Sequence, residues 1–399
     1  MAQRFILILL LLVVGDLYFY QAVTTLTQNP LLHTAYWLVD LGIIGGIASI
    51  LFIRRAGHTP QRLINGLMAA LLLIFIPRLF SSVLLMAEDV TRLFRGFPAR
   101  NLYVSEATLA LAGVVFLVVL FGLTTGKHFY QLKRETLYFP DLPEAFDGFT
   151  ITQFSDVHSG SFTDAKGVQK GLDLVKDQKS DLLLFTGDLV NNMASEMDPW
   201  IPRFATLHAP YGNYSVLGNH DYGDYARWES SAAKAANLER LKAIHEEIGF
   251  KLLLNEAVTI RKQDQSISLV GVENWGKGGF HKYGDLEKAT ANVPDNAFKI
   301  LMSHDPSHWD EVTLGHNQHI HLTLAGHTHG MQFGIEMFGF KWSPIKYFYK
   351  QWAGLYQQGS KYLYVNRGFG FHGLRGRIGI WPEITVLTLK RGAAAVQAA

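Results

Sequence analysis

Residues 149–158 read FTITQFSDVH, and the folding of the second half of the chain turns on this stretch. Its first six residues are the short run of Phe, Ile and Thr expected of a buried strand. Asp156-Val157-His158 then sets a carboxylate and an imidazole two apart, so that in extended chain both point the same way. The device recurs four times. Asp181–Thr186 is followed by Gly187-Asp188, and Asn213–Leu217 by Gly218-Asn219-His220-Asp221. Phe298–Met302 precedes Ser303-His304-Asp305, and His319–Leu324 leads through Ala325 to Gly326-His327-Thr328-His329-Gly330. Polar segments near 164–178, 196–208 and 231–248 read as intervening helices, which makes the region beyond Lys127 an α/β domain. In open α/β sheets, groups at the carboxyl ends of neighbouring strands converge on one crevice. The flanking glycines allow sharp turns beneath them. Each element alone is common; the ordered set points to a site for two divalent metals that share a carboxylate.

Composition limits the alternatives. The chain has 399 residues, 36 Lys plus Arg against 34 Asp plus Glu, and no cysteine. The near-neutral balance argues against a nucleic-acid partner, and the missing thiols exclude disulfides and thiolate metal sites. Any metal must be held by nitrogen and oxygen ligands, which suit Mn, Fe or Zn and tolerate Mg.

Upstream of Lys127 the chain is a different material. Residues 1–125 hold 8 Arg, no Lys and 5 acids. Four apolar stretches, about 5–23, 35–53, 64–86 and 104–125, have the length needed to cross a hydrocarbon core. Tyr18, Tyr20, Tyr36, Trp37 and Tyr103 lie near their ends, as interfacial aromatics do. The run Phe5–Gly15 also has the length of a signal-peptide core, but no small-residue cleavage site follows it and three more spans do. With the N-terminus inside, Arg4, Arg54, Arg55, Arg62, Lys127, Lys133 and Arg134 fall on the cytoplasmic side against Arg92, Arg95 and Arg100 opposite. This predicts a multi-pass protein of the inner (cytoplasmic) membrane with its catalytic domain on the cytoplasmic face. Asp16, Asp40 and Arg78 lie within or near the edges of the spans and are expected to face one another, as an interhelical tie rather than an ion path. The expected layout is a membrane region 1–125, a linker 126–148, a catalytic domain 149–392 and a tail 393–399.

The strand-end motifs together resemble the calcineurin-like metallophosphoesterases over roughly residues 149–390. The pattern is similar to a membrane-attached, bacterial-type branch of that family, through Tyr364-Val365-Asn366-Arg367-Gly368-Phe369-Gly370 and Trp381-Pro382-Glu383-Ile384-Thr385. Two departures are Met331, where the branch usually has a second Gly, and Gly373-Leu374-Arg375-Gly376-Arg377, which lacks the usual proline. The resemblance implies a four-layer αββα sandwich. It implies one metal on Asp156, His158, Asp188 and His329, and a second on Asp188, Asn219, His304 and His327. It also implies attack on phosphorus by a hydroxide bridging the metals, with His220 as general acid over the leaving group. Asp221 and Asp305 are expected to orient imidazoles. His308, His316, His319 and His321 read as surface or sheet residues. His372, Arg367 and Arg377 are candidates for substrate contact.

Phe338–Tyr356, FGFKWSPIKYFYKQWAGLY, is dense in aromatics and lysines. It reads equally as a surface for lipid headgroups, carried by Trp342, Trp352 and Lys346 among others, and as a lid packed on its own domain. The predicted function is a membrane-tethered hydrolase of a phosphodiester, pyrophosphate or phosphomonoester, with a lipid-linked phosphate as the natural substrate and membrane lipids as partners; no protein partner is predicted. The competing reading is a membrane transporter or receptor with the soluble domain as its regulatory or sensor module.

Overall fold

The structure is a computed structural model that describes residues 2–55 and 61–393. All of the expected tail except Ala393 lies outside the described residues. The chain divides into two compact units, Met1–Thr124 and Thr125–Ala399.

Among the described residues the first unit is four helices: α1 (Ala2–Leu26), α2 (Pro30–Arg55), α3 (Gln61–Leu93) and α4 (Leu102–Thr124). Within them Pro30–Ile50, Leu63–Leu93 and Leu102–Thr124 are long and apolar enough to cross a membrane. Asp16, Asp40 and Arg78 do meet. The Arg78 guanidinium donates to Asp40 Oδ1 at 2.8 Å and to Asp16 Oδ1, and lies 4.0 Å from the Tyr36 ring centre. Tyr36 donates its hydroxyl to Asp16 Oδ1 at 2.7 Å. α3 outlasts the expected span, and its last two turns carry Glu88 and Asp89, which pair with Arg100 at 3.0 and 2.8 Å.

The described residues of the second unit form fourteen strands. They are β1 (Gln131–Phe139), β2 (Thr150–Phe154), β3 (Leu182–Phe185), β4 (Asn213–Ser215), β5 (Lys251–Leu252), β6 (Glu256–Lys262), β7 (Gln265–Gly271), β8 (Lys299–Met302), β9 (Leu322–Ala325), β10 (Ile335–Met337), β11 (Phe340–Trp342), β12 (Gly354–Gln358), β13 (Lys361–Val365) and β14 (Glu383–Arg391). One mixed sheet runs β1-β14-β2-β3-β4-β5 and a second runs β12-β13-β9-β8-β7-β6, with β10 and β11 forming a separate hairpin. Alternation along each strand divides the core. Leu182 and Leu184 of β3, Ile300 and Met302 of β8, and Leu322 and Leu324 of β9 meet between the sheets. Leu183 and Phe185 turn outward onto Val168, Leu172 and Val175 of α5 (Ala165–Asp177). On the other side Leu301 and Val270 pack on Leu286 and Ala289 of the short helix Leu286–Thr290. The layers are therefore helix, sheet, sheet, helix, as the sequence led one to expect.

Two local readings differ. The segment 196–208 contains only a 3-10 turn Ala194–Met197 and a single helical turn Ile201–Phe204. Pro199 and Pro202 lack the amide donors that a continuous helix needs, and the apolar pattern arises from Met197, Trp200 and Phe204 packing into the core. Part of the stretch read as a linker is β1, which pairs in parallel with β14 from Gln131↔Glu383 to Phe139↔Arg391.

Candidate metal centre

β2 runs parallel to β3 in one sheet and β8 to β9 in the other, and residues that follow all four strands meet on one side of the sandwich. There the backbone turns abruptly. Asp156, His158, Asp188, His327 and His329 all have left-handed φ, between 47° and 73°. Such non-glycine conformations cost about 1–3 kcal/mol each and persist only where the surroundings fix them. The fixing contacts are visible. The Asp156 amide donates to Gly187 O at 2.8 Å, the His158 amide to Asp188 O at 3.1 Å, and the His327 amide to the Asp156 carboxylate at 3.0 Å. Close approach also requires the glycines: a Cβ on Gly218 would lie 2.2 Å from Asp188 Oδ1, and one on Gly326 would lie 2.4 Å from Asp156 Oδ2.

The structure brings all seven expected ligands together in two adjoining groups. In one, His329 Nε2 lies 3.2 Å from Asp156 Oδ1 and 2.9 Å from His158 Nε2. In the other, His327 Nδ1 lies 2.8 Å from Asn219 Oδ1 and 3.3 Å from His304 Nε2. Asp188 Oδ2 stands between them, 3.5 Å from His158 Nε2 and 3.2 Å from His304 Nε2. The ligand atoms of Asp156, His158 and His329 lie within 4.8 Å of one another, as do those of Asp188, His304 and His327.

The donor chemistry fits divalent cations. Burial holds the His158 imidazole well below its usual pKa, so it is neutral and offers a lone pair. Burial would raise the Asp156 and Asp188 carboxyls, but His329 beside the first and His304 beside the second outweigh it and hold both below the usual range. Burial likewise opposes a charge on His304, yet the Asp188 carboxylate raises it to about 10. The site therefore stabilises positive charge. The His304 Nδ1–H donates to Thr186 O at 2.7 Å, which leaves Nε2 as its ligand atom.

Around these groups lies a cleft of about 650 Å³. His220 lines it; its amide donates to Asp188 Oδ1 at 2.9 Å and its Nδ1–H to Asn191 O at 2.8 Å. The His220 ring meets those of His158, Tyr225 and His372 at centroid distances of 4.8, 4.6 and 4.4 Å. His372 also lines the cleft. Three contributors escaped the sequence reading. Tyr349 lies with its hydroxyl 2.8 Å from His327 Nε2, Asn219 donates to the Tyr225 hydroxyl at 2.9 Å, and Asn191 O fixes His220. Only Tyr349 had a signal, through its place in the aromatic stretch.

Other expected roles change. Asp221 accepts from the amides of Asp188, Leu189 and Gly218 at 2.8–2.9 Å, and Asp305 from those of Ser307 and Lys277. These carboxylates shape the ligand loops rather than hydrogen-bond imidazoles. Arg367 is buried on Glu383 and Glu336. Arg377 is fully buried; it donates to Gly370 O and Arg367 O, and its Nη2 lies 3.3 Å from His329 Nδ1. Neither arginine lines the cleft. His308 is buried against Ser303 and Trp275, and His321 bridges the Lys299 amide and Asp141; they are core and edge residues. Trp352 is buried and Trp342 half-buried, so of the two readings of this stretch these rings follow the one packed on its own domain.

Comparison with known proteins agrees with this geometry. Residues 149–331 match the family described as calcineurin-like phosphoesterase. An uncharacterized metallophosphoesterase of Bacillus subtilis, YkuE, is 31% identical over 266 residues, which span 66% of this chain and 86% of that protein. The chain belongs to the calcineurin-like phosphoesterase family. Residues 3–127 match a second family, described as "Probable Calcineurin-like phosphoesterase, transmembrane domain". A transmembrane protein with metallophosphoesterase domain from Danio rerio is 25% identical over 72% of this chain and 63% of that one. A UDP-2,3-diacylglucosamine pyrophosphatase, LpxG, of Chlamydia trachomatis is 27% identical over 60% of this chain and 84% of its own length. Family membership gives the calcineurin-like domain here a phosphoester-hydrolase chemistry, attached to a transmembrane domain.

Proposed function

We propose that the chain is a membrane-tethered, dinuclear phosphohydrolase acting on a phosphodiester or pyrophosphate, and that its substrate is lipid-linked. Asp156, His158, Asp188 and His329 would hold one divalent cation, and Asp188, Asn219, His304 and His327 the other, with Mn, Fe or Zn favoured by the nitrogen and oxygen donors. The observation that carries this reading is the position of Asp188 Oδ2, within 3.5 Å of one imidazole from each group. When bound, two such cations acidify water and offset negative charge on a phosphoryl group.

The protein's own groups do the rest. Asp156 and Asp188 stay ionised and the strained loops hold the ligand atoms in place before any substrate arrives. Asn191 fixes the His220 ring through Nδ1, which leaves Nε2 to protonate the departing oxygen. Phe280, Met331, Ile345, Phe348 and Leu374 give the cleft an apolar wall suited to a substrate with a hydrocarbon part. The pyrophosphatase named above is named for a diacylated nucleotide sugar, which agrees with a lipid substrate here. The excess of basic residues on one side of the spans supports a catalytic domain on the cytoplasmic face of the inner membrane.

The test is hydrolysis of an aryl phosphodiester by the full chain in detergent, with and without Mn²⁺, beside Asp188→Asn. Turnover that requires the ion and vanishes in the variant is expected. Equal turnover in chelator, or in the variant, would overturn the reading.

A further inference from the structure

The β10–β11 hairpin stands apart from both sheets, and its turn is chemically odd. The register from Ile335↔Trp342 to Met337↔Phe340 leaves Phe338-Gly339 as a two-residue loop. Both residues have positive φ, 49° and 80°, which is the signature of a type I′ turn. That turn favours Asn or Asp at its first position; a Phe there costs about 1–2 kcal/mol of backbone strain. No packing offsets the cost, because Phe338 is 98% exposed. Phe340 beside it is 58% exposed, and Tyr347 and Phe348 in the following turn are 71% and 60% exposed. A strained, bare aromatic ring serves neither stability nor solubility, so the observation points to a contact outside the chain.

The surroundings identify that contact. Glu336 is the one acid between Met331 and Lys350, and it is neutralised by Arg367 at 2.9 Å and Lys133 at 3.1 Å. Lys346 and Lys350 are exposed and form no ion pair among the described residues. Aromatic rings edged by free lysines match an anionic headgroup layer, where each lysine contributes about 1 kcal/mol. The catalytic unit begins at Thr125, the residue after the last apolar helix, so a bilayer is always close at hand. Phe348, Ile345 and Met331 also line the cleft that holds Asp188 and His220, so the exposed Phe348 ring borders the site itself.

We propose that Phe338, Phe340, Tyr347 and Phe348 seat in the headgroup layer of an anionic bilayer, with Lys346 and Lys350 on lipid phosphates, and hold the cleft mouth against the membrane. The entry of a lipid phosphate by this route rests on the hydrolase reading above; the seating itself does not.

The chain has no cysteine, so single thiols report cleanly. The full chain carrying Phe338→Cys, or Asp264→Cys in the exposed β6–β7 turn, would be labelled with an environment-sensitive fluorophore in nanodiscs of phosphatidylglycerol and phosphatidylcholine. Shallow nitroxide lipids are expected to quench the label at 338 more than at 264, and less when phosphatidylglycerol is left out. Equal quenching at the two positions would overturn the proposal, as would energy transfer between labels at 338 showing that a second copy covers the hairpin. Phe338→Asn supplies a folding control, because Asn suits the turn. Its thermal midpoint and its turnover of a soluble aryl phosphodiester should match or exceed those of the parent, while quenching of a label at Tyr347→Cys falls. Unchanged quenching at 347 would sink the role of Phe338. Because the labels read position, a chain that seats but does not hydrolyse would refute only the enzymatic reading.

Discussion

Among the membrane helices, Arg78 spans Asp16 and Asp40 while Tyr36 adds a further donor, and Asp40 Oδ2 is left without a partner among the described residues. In the cleft the arrangement is the reverse. His158 and His329 bring two Nε2 atoms within 2.9 Å, and His304 and His327 approach to 3.3 Å beside two ionised carboxylates. The first cluster is nearly closed: its charges answer each other, and a buried set of that kind fixes how helices pack. The second is open, because like donors face one another there: ring nitrogens and carboxylate oxygens of the metal-ligating kind lie within 4.8 Å of each other. An open cluster of buried donors is what a metal site looks like from the protein's side, and a closed one is what an interhelical tie looks like. That difference weighs against a transporter reading of the membrane unit, which would call for the opposite assignment.

The largest effect that would sharpen this contrast is at His220. It contacts the open cluster but is not proposed as a ligand, so His220→Ala should lower kcat by about 10² to 10⁴ while metal content stays at the parent value. Loss of bound metal in proportion to activity would make His220 part of the metal cradle instead. Within the closed cluster, Arg78→Leu removes the single cation between two buried carboxylates, at an expected cost of about 3–5 kcal/mol. The loss should appear as a lower thermal midpoint of the full chain in detergent, with turnover per folded molecule preserved. An unchanged midpoint would mean that the tie contributes nothing to the helix bundle.

The same contrast explains what could be seen from sequence. Strand-end motifs such as Ser155-Asp156-Val157-His158 are legible because strained ligand loops demand particular residues beside particular glycines, and β3, β8 and β9, which feed three of them, are buried on both faces and largely apolar. β1 was not legible. It is an edge strand whose Lys133-Arg134-Glu135 run reads as polar linker, and its fully buried residues, Leu137 and Phe139, come at its end. Tyr225 and Asn191 reach the site from loops with no fixed spacing, so nothing local marks them, and Tyr349 is marked only as one ring of the aromatic stretch. In the aromatic stretch, composition showed that rings and lysines were present but not which way they face. Trp352 turned inward, where Lys341 lies 5.1 Å from its ring centre, and Phe338 turned out.

Histidine carries the comparison into the catalytic unit at the smallest scale. His304 is raised to about 10 by Asp188, whereas His245, fully buried with Nδ1 2.9 Å from Ser215 Oγ and no carboxylate beside it, is lowered by burial to about 3. The unfolded chain takes up a proton at His245 near pH 6.5, and the folded chain refuses it until about pH 3. Stability is therefore unaffected by this group above pH 6.5 and falls as the pH drops from there toward 3, by at most about 1.4 kcal/mol per pH unit. His245→Gln keeps a partner for Ser215 and cannot titrate. Between pH 7 and 5.5 the denaturation midpoint of the full chain should fall less steeply in this variant than in the parent. Parallel slopes would show that His245 is not held neutral by burial, and the contrast with His304 would then rest on geometry alone.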